Sequence, residues 1–157
     1  MKKVFYYQTP VGKIGIAEEW GFITNLYFMN MKLPLSAKQI ETDVIREAFS
    51  QLSEYLNGSR QEFDLPLNPS GTDFQQTVWS EILNISYGKT VSYKDIALSV
   101  SSEKSVRAVG NACNKNPIPI IIPCHRVVSS AGYTSGYVGG AELKEFLLKL
   151  EQDNGEK

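Results

Sequence analysis

The chain predicts an α+β protein in two parts: a small antiparallel three-stranded sheet with one helix, then a helical part that contains a helix-turn-helix. Three observations carry this expectation. Short β-branched and aromatic runs separated by turn residues open the chain. A stretch rich in Pro and Gly follows at 57–71. Beyond it, two capping boxes precede apolar runs of helical period.

Lys3 to Gln8 reads as the first strand, and Thr9-Pro10-Val11-Gly12 as the turn into a second strand near Ile14 to Ala17. Phe22 to Phe28, after Gly21, is the third. Ile40, Val44, Ile45, Ala48, Phe49, Leu52, Tyr55 and Leu56 then recur at helical spacing, with Gly58 as the stop, which predicts one amphipathic helix against the sheet. Gly58, Pro66, Pro69 and Gly71 mark a linker, so the expected domains are 1–68 and 69–157. Thr72 with Gln75 predicts a helix carrying Phe74, Val78, Trp79, Ile82 and Leu83. Ser92 with Asp95 predicts another, to about Val100. Ser101 or Ser102 can cap a third, to about Lys115, stopped by Asn116-Pro117. Two short helices joined by a tight turn fit a helix-turn-helix, and fit any small helical bundle as well. Ile118 to Ile122 is a short buried run that delivers Cys124, and a Gly-rich loop spans Gly132 to Gly140. A last helix has Leu143, Phe146, Leu147 and Leu150 as its stripe, with Glu151 at its end.

At 157 residues the chain can bury a real core but is too short for a large multidomain enzyme. Sixteen cations against seventeen acids give a net charge of −1, which excludes binding to nucleic acid or acidic lipid through global charge alone. One His and two Cys cannot make a four-ligand Cys/His zinc site, so no metal and no cofactor are expected. Cys113 and Cys124 give no disulfide framework, which points to a reducing, cytoplasmic compartment. MKKVFYYQTPVGK lacks the apolar core of a signal peptide. No apolar run approaches the ~18 residues of a membrane span.

The only His stands beside a Cys, in Pro123-Cys124-His125-Arg126-Val127. A thiol is a good nucleophile only as thiolate, and a neighbouring cation or base such as His125 or Arg126 would have to lower its pKa from ~8.5. A buried Cys is more often an inert small hydrophobe, and Cys113, mid-helix among small residues, reads as one. In an extended chain the Cys124 and His125 side chains would point to opposite faces, so they must sit on a turn or communicate through a water. The imidazole also needs an orienting acceptor. Glu151 is one candidate among several acids, and its plain reading is a solvated helix-end carboxylate.

Local charge says more than global charge. Between Ser86 and Arg126 there are six cations (Lys89, Lys94, Lys104, Arg107, Lys115 and Arg126) and two acids, a local +4 over the helix pair. Such a window suits a modest phosphate-binding surface and equally a solvated face.

Ile122-Pro123-Cys124-His125-Arg126-Val127 is preceded by Arg107-Ala108-Val109-Gly110 and Asn116-Pro117 and followed by Gly136-Tyr137-Val138-Gly139-Gly140. With Ser92-Tyr93 and the ending Leu147-Leu148-Lys149-Leu150-Glu151, this ordered set resembles the O6-alkylguanine-DNA alkyltransferases. The likeness covers Asp73 to Glu151 closely and the N-terminal part, similar to that family's ribonuclease-H-like half, more loosely.

The resemblance implies a monomeric, single-turnover DNA repair protein with a winged-helix-like C-terminal domain. Such a protein flips O6-alkylguanine, and O4-methylthymine, from double-stranded DNA and transfers the alkyl group irreversibly to its own cysteine. By motif, Cys124 is nucleophile and alkyl acceptor, and His125 takes its proton through a water while Glu151 holds the imidazole. Tyr93 donates to the leaving base, and Asn116 braces the cysteine's turn. The carbonyls of Cys124 and Val127 are expected to accept from the guanine amino group, with Tyr137, Val138 and Gly139 lining the pocket. Arg107 is implied to enter the base stack from a helix in the minor groove. Ala108 and Gly110 let its backbone approach, and Ser92, Tyr93, Lys104 and Lys115 complete the DNA-binding set. Val138 stands where the family usually has a smaller Ala or Ser, which narrows the pocket against bulky alkyl groups. Two other classes fit parts of the pattern. A non-enzymatic lesion sensor would bind without a modified cysteine, and a Cys-His hydrolase would turn over esters or amides.

Overall fold

The computed structural model describes residues 1–130 and 137–155, in two compact units, Met1–Ser70 and Gly71–Lys157. Most of the Gly-rich loop, including Gly136, lies outside the described residues.

In the first unit β1 (Lys3–Thr9), β2 (Gly12–Glu19) and β3 (Phe22–Phe28) form the expected antiparallel meander. Its second hairpin closes on Trp20 and Gly21, both at positive φ (57° and 83°), the two-residue turn whose twist matches that of paired strands. A side chain at that φ is strained, and the Glu18 carboxylate accepting from the Gly21 N–H at 3.0 Å helps hold it. The sheet has a fourth strand that the three-stranded expectation missed. β4 (Lys38–Gln39) pairs parallel to β1, giving the order β3-β2-β1-β4. Two residues in parallel pairing leave no alternation to read, because the backbone alone makes the strand.

α1 (Asp43–Leu56) starts at Thr42, whose side chain accepts from the Ile45 N–H. Ile40, assigned to this helix by spacing, lies before the cap and is exposed. Residues of opposite parity cover the two faces of the sheet, so the central strand β2 is buried on both. Tyr7 stacks on Phe49 of α1 with centroids 3.9 Å apart, while Val4, Ala17 and Tyr27 pack on the other face with Met31, Leu33 and Ala37. A fully buried Val, Leu or Ile side chain, such as Val4, stabilises the unit by about 1.5–3 kcal/mol. Part of the Pro-rich stretch is sewn to the sheet edge: the Ile23 N–H donates to the Pro66 carbonyl (2.8 Å), and the Asn68 N–H returns to the Ile23 carbonyl (2.9 Å).

In the second unit both capping boxes form. Thr72 and Gln75 start α2 (Asp73–Ile82), and Ser92 and Asp95 start α3 (Tyr93–Val100) just after β5 (Val91–Ser92). Ser102 caps a 3-10 turn at Glu103–Ser105, and α4 (Val106–Asn114) begins only after it. The Trp79 indole N–H donates to the Ala112 carbonyl at 2.9 Å, pinning α2 to α4. β6 (Val127–Val128) pairs in parallel with β5, and α5 (Ala141–Gly155) ends the described chain. The apolar stripe of α5 is buried only in part: Leu147 is fully buried, Leu143 and Leu150 are half-buried and Phe146 is 44% exposed, while Lys144 and Glu151 face inward beside Leu147. The two charged groups are buried because they bond to the turn that carries Cys124 and to Val127 just after it.

Candidate active site

Asn116, itself buried, organises the approach to Cys124. Its Oδ1 accepts from the Ile118 N–H at 2.9 Å, and its Nδ2 donates to the Ile122 carbonyl at 2.8 Å and to Cys124 Sγ at 3.1 Å. The loop between them is closed by the Ile122 N–H on the Ile118 carbonyl and holds Ile120 at φ 74°. For a β-branched residue this is strained backbone, tolerated because the surrounding bonds over-determine it. Cys124–Arg126 is a 3-10 turn, so Cys124 and His125 leave the chain from a turn, one of the two arrangements that stereochemistry allows.

His125 Nε2 lies 2.7 Å from Glu151 Oε2. Arg126 grips the same carboxylate with two bonds, Nε to Oε1 at 2.8 Å and Nη2 to Oε2 at 2.9 Å, and its Nη1 donates to the Ile85 carbonyl at 2.7 Å. The Gly88 N–H adds a fourth bond to Oε1 at 3.1 Å. Glu151 is 1% exposed, so the solvated helix-end reading is wrong. Burial alone would raise its pKa, yet the bonds from His125 and Arg126 outweigh that and bring it down to about 2. Burial pushes His125 below its ordinary value, against the pull of Glu151. The two directions agree if Arg126 neutralises the carboxylate and the imidazole stays neutral. An ionised carboxylate only accepts, so Nε2 carries the hydrogen and Nδ1 is the basic nitrogen.

Cys124 is 2% exposed, and burial pushes its thiol up to about 11, although the Asn116 amide and the Lys144 ammonium favour the thiolate. This corrects the expectation that His125 and Arg126 lower the thiol. Arg126 is committed to Glu151, and desolvation wins. Cys113 is buried in α4, and its thiol is raised by the same cause.

Lys144 is the group that sequence reasoning missed. Fully buried, it donates to the Val127 carbonyl at 2.7 Å, and its Nζ lies 5.6 Å from the centre of the Tyr93 ring. Burial lowers its pKa, while Cys124 and Cys113 pull the other way. The clue lay in spacing: Lys144, Leu147 and Glu151, three and four residues apart, share one helix face. Tyr93 is brought to the site because Val91 and Ser92 pair with Val127 and Val128. Its phenol is raised by burial to about 12 and stays neutral. The Tyr137 ring meets His125 edge-on at 6.3 Å, and Val138 and Gly139 beside it are half-buried.

Apart from Tyr93, the residues assigned to DNA fall elsewhere, several of them exposed. Arg107 and Ala108 are exposed on α4, Lys104 on the preceding 3-10 turn and Lys115 at the α4 C-cap, while Ser92 is the half-buried N-cap of α3. A Cβ at Gly110 would meet no atom within 4 Å. Among the described residues no cluster of three or more His, Cys, Asp or Glu could hold a metal, and no helix is long and apolar enough to cross a membrane.

Comparison with known proteins bears on both units. The family profile for the DNA binding domain of 6-O-methylguanine DNA methyltransferase matches residues 73–153, and that for its ribonuclease-like domain matches residues 3–69. The methylated-DNA--protein-cysteine methyltransferase of Methanosarcina barkeri is 46% identical over 94% of this chain and 95% of its own length. The constitutive protein of that name in Bacillus subtilis is 43% identical, covering 92% of each chain. The crystal structure of Mycobacterium tuberculosis OGT in complex with DNA superposes with a TM-score of 0.91 at 38% identity, over 97% of this chain and 94% of that one.

Proposed function

The chain belongs to the 6-O-methylguanine DNA methyltransferase family, and from that premise we propose that Cys124 is the thiol to which it transfers the alkyl group of damaged DNA. It is a methylated-DNA--protein-cysteine methyltransferase, which repairs alkylated DNA by taking the alkyl group onto itself. The observation that carries the assignment is the buried chain of Asn116, Cys124, His125, Glu151 and Arg126, in which a neutral imidazole follows the thiol on one tight turn.

Burial holds the Cys124 thiol protonated, so transfer needs a base. His125 accepts the Cys124 proton at Nδ1 through a water, while Glu151 holds Nε2. The sulfur forms a bond to the alkyl carbon, and the bond from that carbon to guanine O6 breaks, its electron pair remaining on the base. Tyr93, neutral and beside Lys144, donates a proton to the base as this charge develops. The proton held by His125 then returns through water to the Tyr93 oxygen, so the net result moves one proton from thiol to base and leaves a thioether that is not hydrolysed, and each molecule acts once. Tyr137, Val138 and Gly139 line the pocket. The Val127 carbonyl, already accepting from Lys144, has a second lone pair for the guanine amino group.

The DNA surface is α4, entering the minor groove with Arg107 filling the place of the flipped base. Gly110 supports this reading. A helix-interior Gly costs about 1 kcal/mol relative to Ala, and among the described residues no atom comes within 4 Å of a Cβ placed there. Close approach of a nucleic-acid backbone would. Lys104 and Lys115 flank the helix as phosphate contacts, and the protein acts as a monomer.

Incubation with duplex DNA carrying O6-methylguanine, followed by peptide mass spectrometry, tests the assignment. The expected product is one added CH2 on the Cys124 peptide per protein molecule. Label on Cys113, or repeated turnover, sinks it. Tight lesion binding with no modified cysteine would return the non-enzymatic sensor.

A further inference from the structure

Arg126 has no part in the transfer described above, yet it makes more bonds to Glu151 than His125 does. Its guanidinium is anchored twice more, by Nη1 on the Ile85 carbonyl and by the Tyr87 ring, whose centre is 5.6 Å from Cζ. Such a bidentate pair fixes both the plane and the charge of a carboxylate.

Counting charge shows what the pair does. A buried carboxylate and a neutral imidazole together carry −1, and a proton that neutralised them would be welcome. With Arg126 in place the group of three is already neutral, and a further proton would create a buried cation. We propose that Arg126 is a positioning residue: by occupying both oxygens of Glu151 it keeps that carboxylate an anion and holds His125 in the neutral form that can accept the Cys124 proton. This deepens the assignment of His125 as base and rests on it.

The other groups facing the pair point the same way. From α5 the Lys144 ammonium opposes a charge on His125, as Arg126 does from the same turn, while Glu151 favours one. Tyr137 presents its ring edge to His125. Tyr87, on the far side, has its phenol raised by burial and by Glu151, and remains neutral. The thiol of Cys124 is protonated until transfer begins.

The chain contains a single His, so its imidazole resonances can be followed by NMR without assignment. In the unmodified protein, without DNA, His125 is expected to titrate below its ordinary 6.5. In Arg126→Gln, which keeps a hydrogen-bond donor and loses the charge, the titration should rise by about one to three pH units. The acid limb of the pH–rate profile for alkyl transfer should rise with it, with near-normal transfer restored at high pH. Arg126→Lys keeps the charge and should leave the His125 titration low. A merely structural arginine would lower the rate at every pH and move neither titration.

Titration of His125 at or above 6.5 in the unmodified protein overturns the proposal, and this measurement stands even if Arg126→Gln does not fold. So does a folded Arg126→Gln in which His125 is unmoved. If the resonance moves while the acid limb of transfer stays, the pair is electrostatically coupled but His125 is not the base. That outcome overturns the positioning role through the catalytic assignment, whereas the first two leave the Cys124 mass measurement untouched.

Discussion

The Asn116 amide nitrogen lies 3.1 Å from Cys124 Sγ and donates at the same time to the Ile122 carbonyl, so one side chain both shapes the turn and touches the Cys124 sulfur. Its oxygen holds the Ile118 N–H, which makes Asn116 the junction of three bonds around the strained Ile120.

Asn116→Ala should therefore destabilise the protein by more than an ordinary surface change. A buried group left unpaired costs about 1–3 kcal/mol, and the Ile118 N–H loses the partner it has in Asn116, while the Ile122 carbonyl keeps the Cys124 N–H at 2.8 Å. Urea unfolding should show a loss of roughly 1–3 kcal/mol, and alkyl transfer should slow because the thiolate loses a donor. An unchanged midpoint would mean that the turn is held by its backbone alone.

Gly110→Ala should separate folding from binding. With no atom within 4 Å of the added Cβ, the variant should gain up to about 1 kcal/mol of stability from helix propensity. Its affinity for duplex DNA should fall, because the methyl group stands where α4 would meet the groove. Undiminished affinity, read by fluorescence anisotropy, would place the interface on another surface. Arg107→Ala should weaken repair in duplex much more than reaction with a free O6-alkylguanine base.

Stability should fall at both ends of the pH scale. His125 is lowered in the fold, so below about 6.5 the unfolded chain takes up a proton that the native state refuses, and stability is lost as pH falls. Glu151, held at about 2 against 4.5, adds to the loss as pH falls from 4.5 toward 2. Cys124, raised from 9.0 to about 11, contributes stability that is complete below 9.0 and is lost as pH rises to about 11. Urea midpoints measured from pH 4 to 10 should show a plateau between, and His125→Gln should remove the fall that begins near 6.5.

Lys144→Met replaces a buried ammonium with an apolar chain of similar length. The protein should stay folded, since exchanging a buried charge for a well-packed apolar group is often neutral or stabilising. Reaction of Cys124 with a small alkylating reagent should slow, and its pH dependence should move upward, because the cation that favours the thiolate is gone. An unchanged profile would exclude Lys144 from any influence on the sulfur.

The first three strands, α1 and the two capped helices were legible in the sequence because each rests on local chemistry: alternation, a turn, a cap. β4 was not, because its two residues are ordered by backbone pairing to β1. The inward face of α5 was legible at Leu147 and misread at Phe146, for a different reason. Apolar spacing nominated Phe146, while Lys144 and Glu151 are buried through partners on a turn some twenty residues away. In the site, Cys124 and His125 stood out as neighbours. Glu151 was one candidate among several acids until the family resemblance singled it out, and the hold of Arg126 on it is made by the fold, which brings α5 to the turn. Adjacency in sequence suggested that Arg126 would serve the thiol, whereas the turn sends it to α5.

A protein that can react once must survive until its target arrives. A surface thiolate would be spent on peroxide, glutathione or stray electrophiles, since oxidation and exchange follow thiolate character and access. Cys124, 2% exposed and protonated, is kept in storage. The burial that makes it a poor nucleophile at rest gives the molecule its shelf life, and the ligand that fills the pocket ends it.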